Sequence, residues 1–307
     1  MIPFMNRLPD ELLLLIFSQN ILWNKHRLIF LEVCQRWRRI VGDRSLWQGQ
    51  FLNEQEAAQL YEVLPEDMPL YLEVTNPGSL PRPLIRFLLR RTARLKWRSL
   101  QPMIKFLGLK DKCPHLTHLS VRVKQPDNLS LILRHLKTQL KVLFVESASL
   151  EKGLFFEVAL GQCTQLTHLN LTHVELCRGY RIFPHLHRLI YFSSYDGNAR
   201  VGLNVLTHVG AQLRYFFMDT PASPAYLEVW GTALDQHVLQ RFDIRFQEFL
   251  HHQAMPILIP VVRATIQETL KIHYEGASVT PLLCRNESCH SYARGGWIDF
   301  DDIDEAI

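Results

Sequence analysis

The stretch CPHLTHLSVRV at residues 113–123 holds the spacing Leu116-x-x-Leu119-x-Val121, three apolar residues separated by two variable positions and then one. The same spacing returns in Leu140-x-x-Leu143-x-Val145 and Leu166-x-x-Leu169-x-Leu171. Further copies read Leu186-x-x-Leu189-x-Tyr191, Leu213-x-x-Phe216-x-Met218 and Leu239-x-x-Phe242-x-Ile244, with Leu72/Val74, Leu95/Trp97 and Leu270/Ile272 phased alike at the edges. The six main copies start 24, 26, 20, 27 and 26 residues apart. Alternation within each copy predicts a short strand, because successive strand side chains point to opposite faces. Between copies, residues 129–136, 154–160 and 201–209 carry apolar residues at helical spacing and predict returning helices. Residues 239–249 fit either element, since Leu239, Phe242, Phe246 and Phe249 also recur at helical spacing.

This period matches a leucine-rich repeat, one strand and one returning helix or loop per turn. A single turn has one apolar face and cannot stand alone, so turns stack and bury a continuous core. The expected fold class is therefore α/β, with a curved leucine-rich-repeat solenoid over residues 65–283 and a parallel concave sheet. Cys113 and Cys163 each stand three residues before a first leucine, which reads as a small buried hydrophobe, not a nucleophile.

Upstream, RLPDELLLLIF at residues 7–17 predicts a helix. Pro9 suits the first helical position, Asp10 and Glu11 suit the positive end of the dipole, and Leu12, Leu15 and Ile16 recur at helical spacing. Val33, Cys34, Trp37, Ile40 and Val41 form a second apolar stripe, opposite Gln35, Arg36, Arg38 and Arg39. Short amphipathic helices in about fifty residues hide too little surface to be stable alone. They form a cap on the repeats, or a docking module whose exposed tryptophans meet a partner.

The string Leu8-Pro9-Asp10-Glu11-Leu12 … Ile16-Phe17 … Val33-Cys34-Gln35-Arg36-Trp37-Arg38 … Asp43-Arg44-Ser45-Leu46-Trp47 resembles the F-box motif. The resemblance implies a three-helix module over residues 1–50 that binds the Skp adaptor and, through it, a cullin. Leu8, Pro9, Ile16, Phe17, Val33, Cys34 and Trp37 would form its packing and adaptor-facing surface, with Leu46 and Trp47 closing it. Cysteine-containing repeats are a feature of F-box proteins, in keeping with Cys113 and Cys163. The implied organisation is an F-box at 1–50, a linker helix at 51–64, repeats at 65–283 and an acidic tail at 284–307. The implied function is the substrate-recognition subunit of a Skp–cullin–F-box ubiquitin ligase, not itself an enzyme. The alternative is an F-box repeat scaffold that recruits no cullin.

Parity within the strands predicts which residues line the concave face. Arg94, Lys96, Arg98 and Arg122 make its first part basic, and Phe144, Phe192, Tyr215 and Phe217 make its later part aromatic. Exposed aromatics and arginines mark interfaces. The expected partner is an unknown substrate protein with an acidic portion on the cations and an apolar anchor near Phe192, Tyr215 and Phe217. Irregular repeats turning aromatics inward, or the tail Trp297–Ile303 covering the groove, would remove that surface.

Of 307 residues, 47% are hydrophobic and 21% charged, a globular balance. The net charge of +4 is uneven: ten cations lie between Arg82 and Lys112, while Asp299, Asp301, Asp302, Asp304 and Glu305 make an acidic end. That stripe also raises a nucleic-acid-binding reading, which steep salt dependence would reveal. The apolar run Leu12–Phe17 is too short and too acidic at its start for a signal peptide, and no run is long enough to span a bilayer. Six cysteines without an export signal predict reduced thiols in the cytoplasm or nucleus. Phosphate-loop, dinucleotide and hydrolase motifs are missing. Cys284, Cys289 and His290 lack zinc-ligand spacing and a fourth ligand, so no cofactor or metal is expected.

Overall fold

The computed structural model describes residues 7–19, 24–99, 113–124, 126–152, 154–175, 188–189, 191–195, 215–221 and 241–247. Among the described residues three short helices come first: α1 (Asp10–Ser18), α2 (Asn24–Ile29) and α3 (Gln35–Val41), with 3-10 turns at Phe30–Glu32 and Arg44–Leu46. The helix expected from Val33 starts only at Gln35, because Cys34 is extended at φ −165° and ψ 168°. Pro9 stands just outside α1, and its carbonyl accepts from the Leu13 amide at 3.1 Å.

Nine strands lie among the described residues: β1 (Phe51–Asn53), β2 (Leu70–Val74), β3 (Thr92–Trp97), β4 (His118–Val123), β5 (Val142–Lys152), β6 (His168–Glu175), β7 (Tyr191–Tyr195), β8 (Tyr215–Pro221) and β9 (Arg241–Gln247). They form one sheet in sequence order, and every neighbouring pair is parallel. Parallel neighbours need a return connection each time. Helices α4 (Glu54–Leu60), α5 (Arg82–Arg91), α6 (Ser130–Leu136) and α7 (Leu154–Leu160) supply described returns.

Residues 51–64, expected as a linker helix, hold a helix at Glu54–Leu60 and also open the sheet with Phe51–Asn53. Asn53 ends β1 and starts α4 in one step: its Oδ1 accepts from the Gln55 and Glu56 amides, and Glu56 accepts from the Asn53 amide. This reciprocal pairing satisfies amides that a helix start leaves without partners. The buried Glu54 carboxylate takes the Asn76 amide at 2.7 Å and the Thr75 amide and hydroxyl, tying α4 to the end of β2.

Register aligns one row of apolar residues across the sheet: Leu52, Leu72, Leu95, Leu119, Leu143 and Leu169, continued by Phe192, Phe216 and Phe242. The six leucines are buried and share one core with Leu88 and Leu89 of α5, Ile132 and Leu133 of α6 and Phe156 and Ala159 of α7. Full burial of each such side chain stabilises by roughly 1.5–3 kcal/mol.

The same register corrects one expected copy. Phe192 pairs with Leu169 in the leucine row, and Tyr191 pairs with His168 in the neighbouring row. Leu189, fully buried like Leu166, therefore takes the first position of Leu189-x-x-Phe192-x-Ser194. Leu186, Leu189 and Phe192 are equally spaced by three, so the first two positions of the pattern fit either phase, and pairing selects the second although its third position is Ser194. Copies then start 23 and 24 residues apart around Leu189, and the interval of 20 disappears. Phe192, expected on the binding face, thus shares the register row of Leu169, and its side chain lies outside the described residues. Tyr215 and Phe217 keep the rows of Tyr191 and Ser193. Residues 241–247, ambiguous in sequence, form a strand that pairs Phe242 with Phe216. The expected helix at 201–209 and the acidic tail lie outside the described residues.

Between β5 and β6 the pairing jumps from Glu146–Thr172 to Glu151–Val174. His173, at the jump, has a left-handed φ of 54°. A bulge of this kind twists the strand and ends regular pairing.

Candidate functional site

The N-terminal helices pack around three rings. Phe17 of α1 stacks on Phe30 at 4.3 Å, and Trp37 of α3 meets both edge-on at 5.2 and 5.3 Å. Trp37 and Trp47, expected as exposed partner-binding rings, are buried at 5% and 1% exposure. The Trp47 indole N–H donates to the Val41 carbonyl at 2.6 Å, and the Arg27 guanidinium lies 5.8 Å from its ring while donating to the Leu46 carbonyl at 2.9 Å. Burial pulls the Arg27 pKa down from its ordinary value. Two rings of this size are the largest apolar surfaces available to so small a unit, so its own core takes them.

A polar staple fixes α1 against α3. Asp10 accepts from Arg36 Nε at 2.7 Å and Arg39 Nη2 at 2.6 Å, and Arg36 also donates to the Leu8 carbonyl. The Arg36 hydrogen bond, with Arg39 beside it, holds the Asp10 carboxyl below its ordinary value despite some desolvation. Arg44 reaches Asp67 at 2.5 Å and Arg38 reaches Glu62 at 3.2 Å, joining the helices to the loop after α4.

The nine residues expected at the adaptor surface separate into two sets. Phe17, Trp37, Leu46 and Trp47 are internal; Leu8, Ile16, Val33 and Cys34 are half-buried, and Pro9 is exposed. Sequence reasoning missed the most exposed large apolar side chains among the described residues of the module, Leu12 at 46%, Leu15 at 57% and Ile29 at 58%. The signal was present: Leu12, Leu13, Leu14, Leu15 and Ile16 go more than once around a helix, and a surface helix buries only one stripe.

The second candidate surface is the sheet face in whose rows Arg94, Lys96 and Arg98 stand. Arg94 lies 4.8 Å from the Tyr71 ring centre, and Lys96 Nζ lies 4.0 Å from that of Phe51. These two rings, 5.6 Å apart, were absent from the expected site, although parity from Leu70, Leu72 and Val74 places Tyr71 on this face. Arg98 pairs with Glu73, and Arg122 with Glu146 at 3.2 Å. Phe144, expected as an exposed anchor, is 5% exposed; it clusters with Val142, and Phe51 packs against the pair. His118 and His168 flank Val142 in one row, each with Nδ1 2.8 Å from the hydroxyl of the preceding threonine. The side chains of Tyr215 and Phe217 lie outside the described residues.

The cations contiguous in sequence from Arg82 are divided in space. Arg82 and Arg90 are exposed on α5, whereas Arg94 and Lys96 belong to β3. Arg91 turns inward, donating to the carbonyls of Pro65 and Met68, and burial lowers its pKa from the ordinary value. A single basic stripe is therefore not formed among the described residues; residues 100–112 lie outside them. Cys163 is fully buried, and desolvation pushes its thiol up to about 12, which keeps it protonated and inert. Among the described residues no group of side chains is arranged to hold a metal, and no helix is long and apolar enough to cross a membrane. Cys284, Cys289 and His290 lie outside them.

A three-helix unit with Leu12, Leu15 and Ile29 exposed on it is thus joined to the first strand of the sheet. Residues 5–53 match the family described as F-box-like, and the chain thus carries an F-box-like domain at its N-terminal end. No curated protein matches the chain. Among solved structures, a chain in the crystal structure of the Rad7 and Elc1 complex in yeast is similar, with a TM-score of 0.41 and 15% identity. That match covers 77% of this chain and 61% of the other.

Proposed function

We propose that this protein is the substrate receptor of a Skp–cullin–F-box ubiquitin ligase, acting in the cytoplasm or nucleus. The F-box-like domain at residues 5–53 carries this reading. In it, Leu12, Leu15 and Ile29, with the half-buried Leu8, Ile16 and Val33, are the surface offered to the Skp adaptor. The sheet is read as a leucine-rich-repeat solenoid, supported by its register row of leucines and phenylalanines and by its intervals of 20 to 26 residues. Its Arg94–Lys96 face receives the substrate.

Such a receptor catalyses nothing by itself. It raises the effective concentration of a substrate lysine near a separately recruited ubiquitin carrier. That task needs a stiff link between the two surfaces, and residues 51–53 belong to both the family match and the sheet.

Co-expression with the Skp adaptor tests the proposal. The wild-type chain co-elutes with the adaptor, and Leu12→Glu/Leu15→Glu does not, while its circular dichroism is unchanged because both positions are exposed. A wild-type chain that elutes without the adaptor refutes the reading. Cullin in the same eluate distinguishes a ligase receptor from a scaffold.

A further inference from the structure

Eight large apolar side chains are exposed among the described residues, and they fall in three places. Leu12, Leu15 and Ile29 belong to the N-terminal module, and Tyr61 and Phe87 meet edge-on with ring centres 6.1 Å apart. The other three stand on α6 and α7: Leu131 at 45%, Phe155 at 60% and Val158 at 51%. These helices are successive returns between parallel strands, so they run the same way, and they pack against each other. Each turns one stripe to the shared core, Ile132, Leu133 and Leu136 on α6 and Phe156, Ala159 and Leu160 on α7. Leu131 and Phe155 are both second residues of their helices, and Arg134 and Val158 both fifth residues, on the side away from that core. Packed helices with axes about 8–10 Å apart bring such equivalent positions side by side. The result is one apolar strip, on the side of the sheet opposite the Arg94–Lys96 face. Contiguous exposed apolar surface of this kind marks interfaces.

Positive charge borders the strip. Arg134, His135 and Lys137 are exposed at the end of α6 and just beyond it. Among the described residues neither the Arg134 nor the Lys137 side chain is held by a hydrogen bond or an ion pair. The one carboxylate on the two helices, Glu157, is buried. The carbonyl end of a helix carries about half a negative charge, less than these two cations bring. We propose that this strip docks an acidic amphipathic helix of a partner protein, its apolar side on Leu131, Phe155 and Val158 and its carboxylates on Arg134 and Lys137. Such a helix offers anchors three and four residues apart, which suits a shallow strip along two helices. The surface is separate from the sheet face read as receiving the substrate and does not depend on that reading. An anionic membrane fits less well, because two cations fall short of the roughly four to eight in basic clusters that hold such surfaces. A second copy of the strip would offer cations and no exposed carboxylate to meet them.

The test is selection of a random peptide display library on the full chain, followed by anisotropy with the enriched peptides. Enriched peptides are expected to be acidic, with apolar residues three and four apart. Phe155→Ser/Val158→Ser should weaken their binding about tenfold or more. Arg134→Gln/Lys137→Gln should weaken it about fivefold and reduce its dependence on salt. All four positions are exposed, so circular dichroism should be unchanged in both variants. Tyr61→Ser/Phe87→Ser, which removes an exposed apolar pair elsewhere, should leave binding as it is. No enrichment, neutral or basic peptides, or equal loss in the Tyr61/Phe87 control would each overturn the proposal. So would undiminished binding by Phe155→Ser/Val158→Ser. Three rival occupants have their own readouts, and any one of them replaces the partner helix. A lipid surface shows as flotation of the wild type, but not of Phe155→Ser/Val158→Ser, with phosphatidylserine vesicles. A second copy shows as a sedimenting dimer that the same variant dissolves. The chain's own acidic end shows as tighter peptide binding in the full-length variant Asp299→Asn/Asp301→Asn/Asp302→Asn.

Discussion

Asp10 shows how single residues hold the N-terminal module together. It sits in the first turn of α1, where a carboxylate suits the helix dipole, and it also binds Arg36 and Arg39 of α3. Its folded pKa lies below the ordinary 3.8, so its contribution is fully present above that value and is lost as pH falls through the folded pKa. Asp67, held low by its hydrogen bond to Arg44, behaves the same way. The expected outcome is a thermal midpoint insensitive to these groups from neutral pH down to about 5, then a decline in acid. Asp10→Asn should have a lower midpoint near neutrality and a shallower acid decline, measured by circular dichroism across the pH series. A parallel acid limb in wild type and variant would show that Asp10 contributes nothing. Sequence revealed Asp10 as a helix-start residue. It did not reveal Arg36 and Arg39 as partners, because they are brought near only when α3 folds against α1.

At the level of elements, the alternation of apolar residues made the strands legible, and the strand row from Leu119 to Leu169 matched the parity reading. Two elements were not legible. One was β1, since three residues, Phe51, Leu52 and Asn53, are too few to display a period. The other was the phase around Leu189, where leucine and phenylalanine at equal intervals allow two registers. The observed register makes a prediction: Leu189 is a first-position core residue like Leu166, with 0% exposure. Leu189→Ala should destabilise by about 2–5 kcal/mol, the usual range for a leucine core deletion. Urea unfolding measures it, and a cost below about 1 kcal/mol would show that Leu189 is not packed in the core.

For the whole molecule, the F-box-like domain and the sheet share one continuous core, running from Leu13 and Phe17 through Trp97 to Leu171. Their junction is close-packed at Gly42. A Cβ there would stand 2.6 Å from the Val63 carbonyl oxygen, a backbone atom with no side-chain freedom to move aside. Gly42→Ala should therefore cost about 1–3 kcal/mol by overpacking. Because the core is shared, tryptophan fluorescence, to which Trp37, Trp47 and Trp97 contribute, and far-ultraviolet circular dichroism should shift to one common lower midpoint. Two separated transitions would mean that the N-terminal domain and the sheet unfold independently, and that the link between adaptor and face is soft.

By itself, the sequence determined the parallel strand-and-return plan, the N-terminal module and the burial of Cys113 and Cys163. Each of these comes from local periodicity and side-chain size. Only the tertiary structure decided which apolar residues remain outside. Leu12 and Leu15 stay exposed while Trp37, Trp47 and Phe144 go inside, because exposure depends on what packs opposite a residue. It alone also divided the run of cations, sending Arg91 to buried carbonyls and setting Arg94 and Lys96 over Tyr71 and Phe51. Those rings lie more than twenty residues upstream, and strand pairing is the physical step that brings them together.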